Sequence, residues 1–356
     1  MPGTEAGAVV RREGRAGGGA AGPPAGCRCT PAPLTRRLLA LDAAYGAATA
    51  APYARHAVRE VRVARHLGGR CGRHPARRPD GAAADRSELL AAAGWVLFDA
   101  EDHARADAVN RAALRLALDC GEPRTAQLVL TTLSMQREHL GRPAPAAAAA
   151  ESAATLGRPT SRVRSVCHLR LARCHAAVGR RSGALGELAR ARHLFEEGPD
   201  DRDPAWTWWI DRSELDGHHG AVLARLAGTA PGTGRQGVAG AAADRLAPVV
   251  AEAAGAAYRA VFAADLLAVL VGAGARREAE SLACSLHPAA ARVGSVRAVR
   301  ALARAARAAE ADPRARTGLR DAAHRLGALL PRHGVVGLAP AGAAPTPVRR
   351  AAGRRG

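Results

Sequence analysis

The stretch SMQREHLGRPAPAAAAAESA, residues 134–153, contains the spacing that decides the fold. Small residues stand at Ser134, Ala146 and Ala153, and Gly141 lies between the first two of them. Two helices can cross closely only where their side chains are small, because protein interiors are densely packed. Glycine accepts the left-handed backbone angles with which a helix often ends. We therefore predict one helix before Gly141, a turn, and a second helix packed antiparallel to the first.

The same spacing recurs along the chain. A small residue is followed 12 and then another 7 residues later by two more, and three copies have a glycine 7 residues after the first position. This is the register of tetratricopeptide repeats. It predicts an all-α protein, a tetratricopeptide-like α-solenoid of stacked antiparallel helix pairs with disordered termini. The copies are Gly94, Ala106 and Ala113, with Glu101 in place of the glycine; Ser134, Ala146 and Ala153, with Gly141; Ala172, Ala184 and Ala191, with Gly179; and the weaker Leu267, Ala279 and Leu286, with Gly274.

The composition agrees with helix pairs. Apolar residues make up 48% of the chain, which is enough to build a core, but aromatic residues make up only 3%. The core must therefore consist mainly of Ala, Leu and Val, and alanine is the best helix former. A β-sandwich or barrel would need more β-branched and aromatic residues than this chain has.

Four regions are predicted along the chain. Residues 1–33 are rich in Gly, Pro, Ala and Arg without periodicity and are expected to be a disordered basic segment. Residues 34–80 contain lead-in helices up to about Leu67 and then an Arg/Gly-rich link. Residues 81–330 form the repeat domain, with an insertion that includes the Gly-rich stretch 228–240 and has a degenerate helix pair on either side, and residues 331–356 form a disordered basic tail.

The net charge of +20 is confined to the two ends of the chain. Residues 81–291 contain 24 Arg and 24 acidic residues, whereas residues 1–80 contain 14 Arg and 5 acidic residues, and residues 292–356 contain 14 Arg and 3. Basic ends either solubilise a chain or bind nucleic acid, acidic protein surfaces or anionic lipid. A helix is predicted over residues 296–308, and one stripe on it is a candidate anion-binding face: Arg297, Arg300, Arg304 and Arg307.

Neither secretion nor membrane insertion is indicated by the sequence. The seven Cys are an odd number without a CxxC pair, which argues against a disulfide framework. The N-terminus lacks the apolar stretch of a signal peptide. Apolar runs elsewhere are too short, or too often interrupted by Arg, to span a membrane. We therefore expect a cytoplasmic protein without a membrane partner.

Residues 206–219 gather three of the four Trp with acidic and His side chains. These groups could supply a metal or acid–base site, or the Trp side chains could anchor a partner. A structural interpretation competes with both, because Asp211 and Glu214 have the spacing of a capping box at a helix start. His218 and His219 are adjacent, so on a helix they diverge by about 100° and cannot readily chelate one ion together. The candidate binding residues are Trp206, Trp208, Trp209, Asp211, Glu214 and His218.

Other motifs predict no catalytic, cofactor-binding or metal-binding residue. The GxGxxG pattern at 232–237 needs a preceding strand, but a helix is predicted upstream, so a flexible loop explains its glycines. The segments 27–29 (Cys-Arg-Cys) and 71–74 (Cys-Gly-Arg-His) have zinc-ligand types but lie where no regular structure is predicted. Cys167 and Cys174 are interpreted as small buried residues. GxSxG, HExxH and P-loop motifs are absent.

Three segments resemble a known family: 93–100 (AGWVLFDA), 140–143 (LGRP) and 208–217 (WWIDRSELDG). They are similar to the helical-repeat half of actinomycete transcriptional regulators, such as the streptomycete regulators that repress sporulation and antibiotic production. The resemblance covers residues 34–330 and implies a Cro/C1-type helix-turn-helix followed by a tetratricopeptide-like domain. That DNA-binding domain needs roughly 55–65 residues with a compact apolar pattern. Residues 1–33 do not supply it, so we expect this chain to lack the DNA-reading half.

These features favour a regulatory or scaffold protein connected with transcription. It would bind a partner protein, a peptide or a small ligand on a concave repeat surface. Nucleic-acid binding through the basic ends is the first alternative, and it would depend on phosphate contacts and weaken steeply with salt. An enzyme that uses residues 206–219 is the second alternative. No cofactor is expected.

Overall fold

The computed structural model describes residues 31–68, 81–230, 234–252 and 259–332. They belong to a compact unit that begins at Pro31. These residues form helices and connecting turns without a strand, and neighbouring helices pack as pairs, so the predicted all-α stack is confirmed. The Arg/Gly-rich link and almost all of the two terminal segments that were predicted to be disordered lie outside the described residues.

Fourteen α-helices and one short 3₁₀ helix at Ala205–Trp209 make up the described part of the chain. Three helix starts carry side-chain caps: Thr160, Asp211 and Ser295 each accept a hydrogen bond from a backbone N–H three residues later. The helices are α1 (Pro31–Tyr45), α2 (Ala47–Gly68), α3 (Gly81–Asp99), α4 (His103–Asp119), α5 (Pro123–His139), α6 (Pro143–Thr155), α7 (Ser161–Ala177), α8 (Arg181–Glu196), α9 (Arg212–Thr229), α10 (Gly234–Glu252), α11 (Ala260–Ala273), α12 (Arg276–Ala290), α13 (Val296–Glu310) and α14 (Thr317–Leu329).

The helices are arranged in two layers. Four antiparallel pairs follow one another, α3 with α4, α5 with α6, α7 with α8 and α9 with α10. The first helix of each pair contacts the first helix of the next, and this series continues through α11 to α13. The last helices depart from simple pairing, because α11 packs mainly on α10 and α13, and α12 packs on α14. The first helices, α3, α5, α7 and α9, therefore each turn one face towards the next first helix, and the layer they form continues with α11 and α13.

The small residues of the repeat lie where the helices cross. Every small position of the three complete copies is buried, from Gly94 in α3 to Ala191 in α8. A Cβ atom added to Gly94 would lie 2.0 Å from Oδ1 of Asn110 in α4, and Asn110 is itself fully buried. A side chain at Gly94 has no room, so the close approach of α3 and α4 depends on glycine at this position.

The turns within the pairs confirm the predicted glycine positions and show one exception. Gly141, Gly179 and Gly274 have φ values of 71°, 71° and 79°, in the left-handed region that glycine adopts without strain. Glu101 occupies the corresponding turn between α3 and α4 and also has a positive φ, 61°. For a residue with a side chain this conformation costs roughly 1–2 kcal/mol. The stack therefore tolerates strain in the first of these turns.

The lead-in region forms two helices that are part of the stack. α1 and α2 pack against α3, and they are separated at Gly46. Gly46 meets Gly294, which precedes α13, so closely that a Cβ atom on Gly46 would lie 2.3 Å from the carbonyl carbon of Gly294. The backbone N–H of Ala48 donates to the carbonyl oxygen of Gly294 over 3.2 Å. The beginning of the stack is thus in backbone contact with a segment near its end.

The predicted loop insertion at 228–240 is wrong. α9 continues to Thr229 and α10 begins at Gly234, so Gly234, Gly237 and Gly240 are helical residues. Added Cβ atoms at these three glycines would meet nothing within 4 Å, so their helix presents open space there. Instead of a loop with a degenerate helix pair on either side, a single helix pair, α9 with α10, includes most of this stretch.

Gly94→Ala is expected to lower the free energy of unfolding by about 1–3 kcal/mol, because the new methyl group must displace the buried Asn110. Gly186→Ala is the matched control, since Gly186 lies in α8 with open space around the added Cβ atom. That substitution should raise the free energy of unfolding by about 0.5–1 kcal/mol, because alanine has a higher helix propensity than glycine. Urea unfolding measures both values, and shifts of the same sign would contradict the close crossing at Gly94.

Candidate functional site

The three Trp of residues 206–219 differ in their surroundings. Nε1 of Trp206 donates to the carbonyl oxygen of Arg124 over 3.0 Å, and its ring packs on a small cluster that includes Ala153 and Val163. Trp209 is half-buried, whereas Trp208 is 79% exposed. One Trp thus anchors the 3₁₀ helix to the repeat stack, and another presents its indole to solvent.

The acidic and His residues of the same segment lie at the start of α9 and in its first turns, away from the exposed Trp. Asp211 caps α9 by accepting from the N–H of Glu214 over 2.7 Å, as the spacing predicted, and it also accepts from Arg259. Glu214 and His218 are buried one turn apart, with 3.3 Å between Oε1 and Nε2. Nη1 of Arg170 in α7 lies 3.4 Å from Nε2 of His218. The candidate binding residues are therefore divided between an exposed Trp and a buried polar pair, and they do not form one site.

The faces that the first helices turn towards one another carry a line of buried or half-buried charges. Arg173 in α7 donates to Glu138 in α5 over 3.2 Å. Burial, followed by the charge of Arg173, lowers the pKa of Arg170 to about 10. Burial raises the pKa of Asp265 in α11 to about 6, against the opposing effect of Arg173. Opposite charges thus occupy the interior between the first helices, which is the face where an open repeat would hold a ligand.

The four Arg of the candidate anion-binding stripe on α13 lie in two different environments. Nε of Arg297 donates to Oδ1 of Asp99 over 3.1 Å, and Arg300 donates to Oε2 of Glu101. Arg304 and Arg307 lie further along the helix and are exposed. Only the second half of the candidate anion-binding face is therefore directed to solvent.

Asp99 is the centre of the contact that closes the stack. Its Oδ1 atom also accepts from the hydroxyl of Ser295 over 2.8 Å, and Ser295 in turn caps α13. The guanidinium of Arg297 lies 5.3 Å from the centroid of the Phe98 ring, within the range of a cation–π contact. Nearby in α1, burial and the charge of Asp99 raise the pKa of Asp42 to about 6, although its hydrogen bond from Trp95 acts in the opposite direction. We call these contacts the seam.

A second cluster adjoins the seam and was missed by the sequence reasoning. Oε1 of Glu101 lies 3.1 Å from Nε2 of His139 at the end of α5, and Oε2 lies 3.9 Å from Nε2 of His103 at the start of α4. Burial alone would raise the pKa of Glu101, but His139 and Arg300 outweigh it and lower the pKa to about 2. Burial lowers the pKa of His103. The signal in the sequence was Glu101 itself, which stands in the register of the turn glycines.

Within the described residues, Glu101, His103 and His139 are the group of three metal-ligand side chains whose ligand atoms all lie within 4.8 Å of one another. Two imidazoles and a carboxylate are a donor set that transition-metal ions accept. The buried pair Glu214 and His218 offers only two such groups, with a guanidinium beside them. If the described part of the chain holds a metal ion, these three residues are its geometric candidates.

Within the described residues, the remaining sequence motifs contribute no assembled site. The described residues of the GxGxxG pattern, 234–237, lie at the start of α10, and the element upstream is the helix α9 rather than a strand. Cys167 and Cys174 are buried in α7, as predicted. The Cys and His residues of segments 27–29 and 71–74 lie outside the described residues.

Comparison of the chain with protein-family models, with curated protein sequences and with solved structures found no match. Among the helices of the described residues, none combines the length and the apolar character that crossing a bilayer requires.

His218 gives a pH-dependent contribution to stability that can be isolated. Burial lowers its folded pKa to about 4, whereas an unfolded His titrates near about 6.5, so the unfolded chain binds the extra proton between these values. Glu214, Arg170 and Arg173 face the ring, and Phe262 in α11 packs against it. The contribution of His218 is therefore complete above the unfolded pKa and is lost as the pH falls towards the folded pKa.

The free energy of unfolding of the wild type, minus that of His218→Gln, should rise by about 3 kcal/mol from pH 4 to pH 6.5 and then stay level. Glutamine keeps a polar side chain without a titrating proton, and groups such as Asp265 titrate in both proteins and cancel. Chemical denaturation at several pH values measures the difference. A difference that does not change with pH would contradict a neutral buried His218.

Arg297→Met is expected to lower the free energy of unfolding by about 3–5 kcal/mol, because Asp99 would remain buried without its guanidinium. Methionine preserves apolar volume against Phe98, so the loss reports the charge rather than the packing. Arg304→Met on the exposed side of α13 is the control and should change the free energy by less than about 0.5 kcal/mol. Equal effects of the two substitutions in thermal or urea unfolding would rule out a stabilising seam.

Proposed function

We propose that the chain is a regulatory or scaffold protein that binds a partner protein or peptide on the outside of its helix stack. The observation that carries the proposal is the 79% exposure of Trp208. A large aromatic side chain exposed to water gains free energy when a partner covers it, and Trp is enriched among the residues that dominate binding energy. We therefore assign Trp208 the role of an anchor for a partner.

The backbone around Trp208 supports this role because it is held on both sides. Trp206 is tied to Arg124, and Thr207 is buried with its hydroxyl donating to the carbonyl oxygen of Pro204 over 2.8 Å. Ile210 follows and is 1% exposed. An anchor on a fixed backbone loses little conformational entropy when it binds. The 3₁₀ helix thus presents one free indole between three fixed neighbours.

The interior of the stack is a less suitable binding surface than the region of Trp208. The first helices meet there through ion pairs such as Glu138 with Arg173 and Asp99 with Arg297. A peptide that entered would have to separate charges that are already paired, at a cost of several kcal/mol (on the order of 3–5) per broken pair. For this reason the proposed partner binds outside, and the concave surface expected from the sequence is not part of the proposal.

The resemblance to actinomycete transcriptional regulators supports a role in the control of transcription through such a partner. The proposal treats the chain as a non-enzyme, because Glu214 and His218 pair with each other and with Arg170 inside the stack. Nucleic-acid binding is retained as a second function because Arg304 and Arg307 are exposed together on α13. It would rest on phosphate contacts and would weaken steeply as salt is increased.

Trp208→Ala is expected to reduce recovery of the partner by about tenfold or more when the immobilised full chain is exposed to native extract, with mass spectrometry of the eluate. Leu118→Ala is the control, because Leu118 is another exposed apolar residue, on α4 and outside the Trp segment. The control should recover the same partner as the wild type.

Equal recovery by the two variants would contradict the anchor role of Trp208. The absence of any specific partner from the wild-type eluate would contradict the scaffold proposal itself. Because Trp208 is exposed, we expect its substitution to leave the free energy of unfolding almost unchanged, and circular dichroism checks that the variant is folded.

A further inference from the structure

The turn between α3 and α4 is the point at which the repeat departs from its own pattern. Gly141, Gly179 and Gly274 occupy the equivalent turns at positive φ, whereas this turn places Glu101 there. Strained residues with a side chain persist where the surrounding structure holds them, and they cluster at functional sites. Glycine would make the turn without strain. The glutamate at this position therefore suggests a role for its carboxylate.

The carboxylate of Glu101 lies between two imidazole rings. The distances are 3.1 Å from Oε1 to Nε2 of His139 and 3.9 Å from Oε2 to Nε2 of His103, and the ring centroids are 5.3 Å apart. A tetrahedral ion with metal–ligand bonds of about 2.0–2.1 Å holds its ligand atoms about 3.3 Å apart. One ligand atom from each of the three side chains lies within 4.8 Å of the other two, so the three atoms would have to draw closer together to hold such an ion.

Both rings make contacts besides the one with the carboxylate. Phe98 packs against both of them, with its centroid 5.8 Å from the His139 ring and 6.0 Å from the His103 ring. The side-chain amide of Gln136 donates to the carbonyl oxygen of His103 over 2.8 Å. Ligands that are held in place before binding lose less entropy when the ion arrives.

Arg300 holds the remaining oxygen of the carboxylate. It donates to Oε2 of Glu101, which leaves Oε1 as the atom directed towards His139. Outer partners of this kind orient a carboxylate that ligates a metal ion. The side chain of Glu101 is 7% exposed, but those of His103 and His139 are 21% and 25% exposed. An ion can therefore reach the cluster from solvent on the side of the rings.

We propose that Glu101, His103 and His139 bind one divalent transition-metal ion of the zinc class, through a carboxylate oxygen and the two Nε2 atoms. Three protein ligands leave the fourth position of a tetrahedral ion open for water or for an exogenous ligand. The ion-pair role of Glu101 with Arg300 needs neither imidazole, so it does not account for the two rings that converge on the carboxylate.

The ion would connect three elements of the stack. Glu101 belongs to the turn after α3, His103 begins α4 and His139 ends α5, so the first two helix pairs would be joined at one point. Arg300 from α13 completes the surroundings of that point. Binding to the folded chain alone stabilises it by mass action, so the midpoint of thermal unfolding should rise with the concentration of the ion. The proposal stands independently of a partner at Trp208.

The full-length protein, freed of metal with a chelator and dialysed, is titrated with Zn²⁺ by calorimetry. We expect one site per chain, and binding weaker by about tenfold or more in His103→Gln and in His139→Gln. His168→Gln is the matched control, since His168 pairs through Nδ1 with a single carboxylate, Glu187, at 2.5 Å and should not alter the titration. Circular dichroism confirms that each variant is folded.

Cobalt(II) distinguishes this site from the cysteines of the chain. Two nitrogen ligands and one oxygen give weak ligand-field bands, whereas a cysteine site adds an intense thiolate-to-cobalt charge-transfer band. We expect the weak bands alone in the wild type. Glu101→Gly restores the residue that the other turns carry, so it should fold but lose the bands.

Three results would overturn the proposal: no stoichiometric Zn²⁺ binding by the wild type, undiminished binding after either His substitution, or a thiolate band as the only cobalt signal. A rise in the unfolding midpoint with Zn²⁺ that persists unchanged in Glu101→Gly would also contradict it. Retention of the wild-type titration by His168→Gln together with its loss in both His variants supports it.

Discussion

The buried ion pair between Asp99 and Arg297 joins residues that are 198 positions apart, and it lies at the contact that closes the stack. The same carboxylate accepts from Ser295, so the cap of α13 and the closure share one acceptor. A buried charge is strongly destabilising when its partner is removed. The two ends of the array therefore meet through this ion pair as well as through the backbone contact of Ala48 with Gly294. Because α13 is fixed in this way, Arg300 reaches Glu101, and the cluster at the first turn depends on the same closure.

The helix pairs could be predicted from the sequence because the constraint that defines them is local. Two helices joined by a short turn must cross at a fixed distance from that turn, and a small residue is required there. Ala146 and Ala153 lie in such a crossing without exposed surface, and Gly141 makes the turn at positive φ. The Gly-rich stretch 228–240 was wrongly predicted as a loop for a related reason. Glycines at open helix surfaces resemble loop glycines in composition, and only packing distinguishes them.

The closure and the metal-ligand cluster could not be predicted in the same way. The first two Arg of the α13 stripe pair with Asp99 and Glu101, nearly two hundred positions away, and no short-range pattern encodes that distance. In sequence alone they look like part of a solvated basic face. The Trp segment 206–219 could be predicted only in part. The cap at Asp211 followed from spacing, but the exposure of Trp208 and the burial of His218 depend on how the segment packs in the stack.

The contact of Gly46 with Gly294 has a consequence for how such an array can change in evolution. An open solenoid can gain or lose a repeat, since each repeat touches only its neighbours. Here a further helix pair between α3 and α13 would carry Gly294 away from Gly46 and Arg297 away from Asp99. The number of repeats is therefore tied to the contacts that join the two ends of the array. A duplication that would be neutral in an open array would open this one, so descendants of this chain should vary in sequence and loop length before they vary in repeat number.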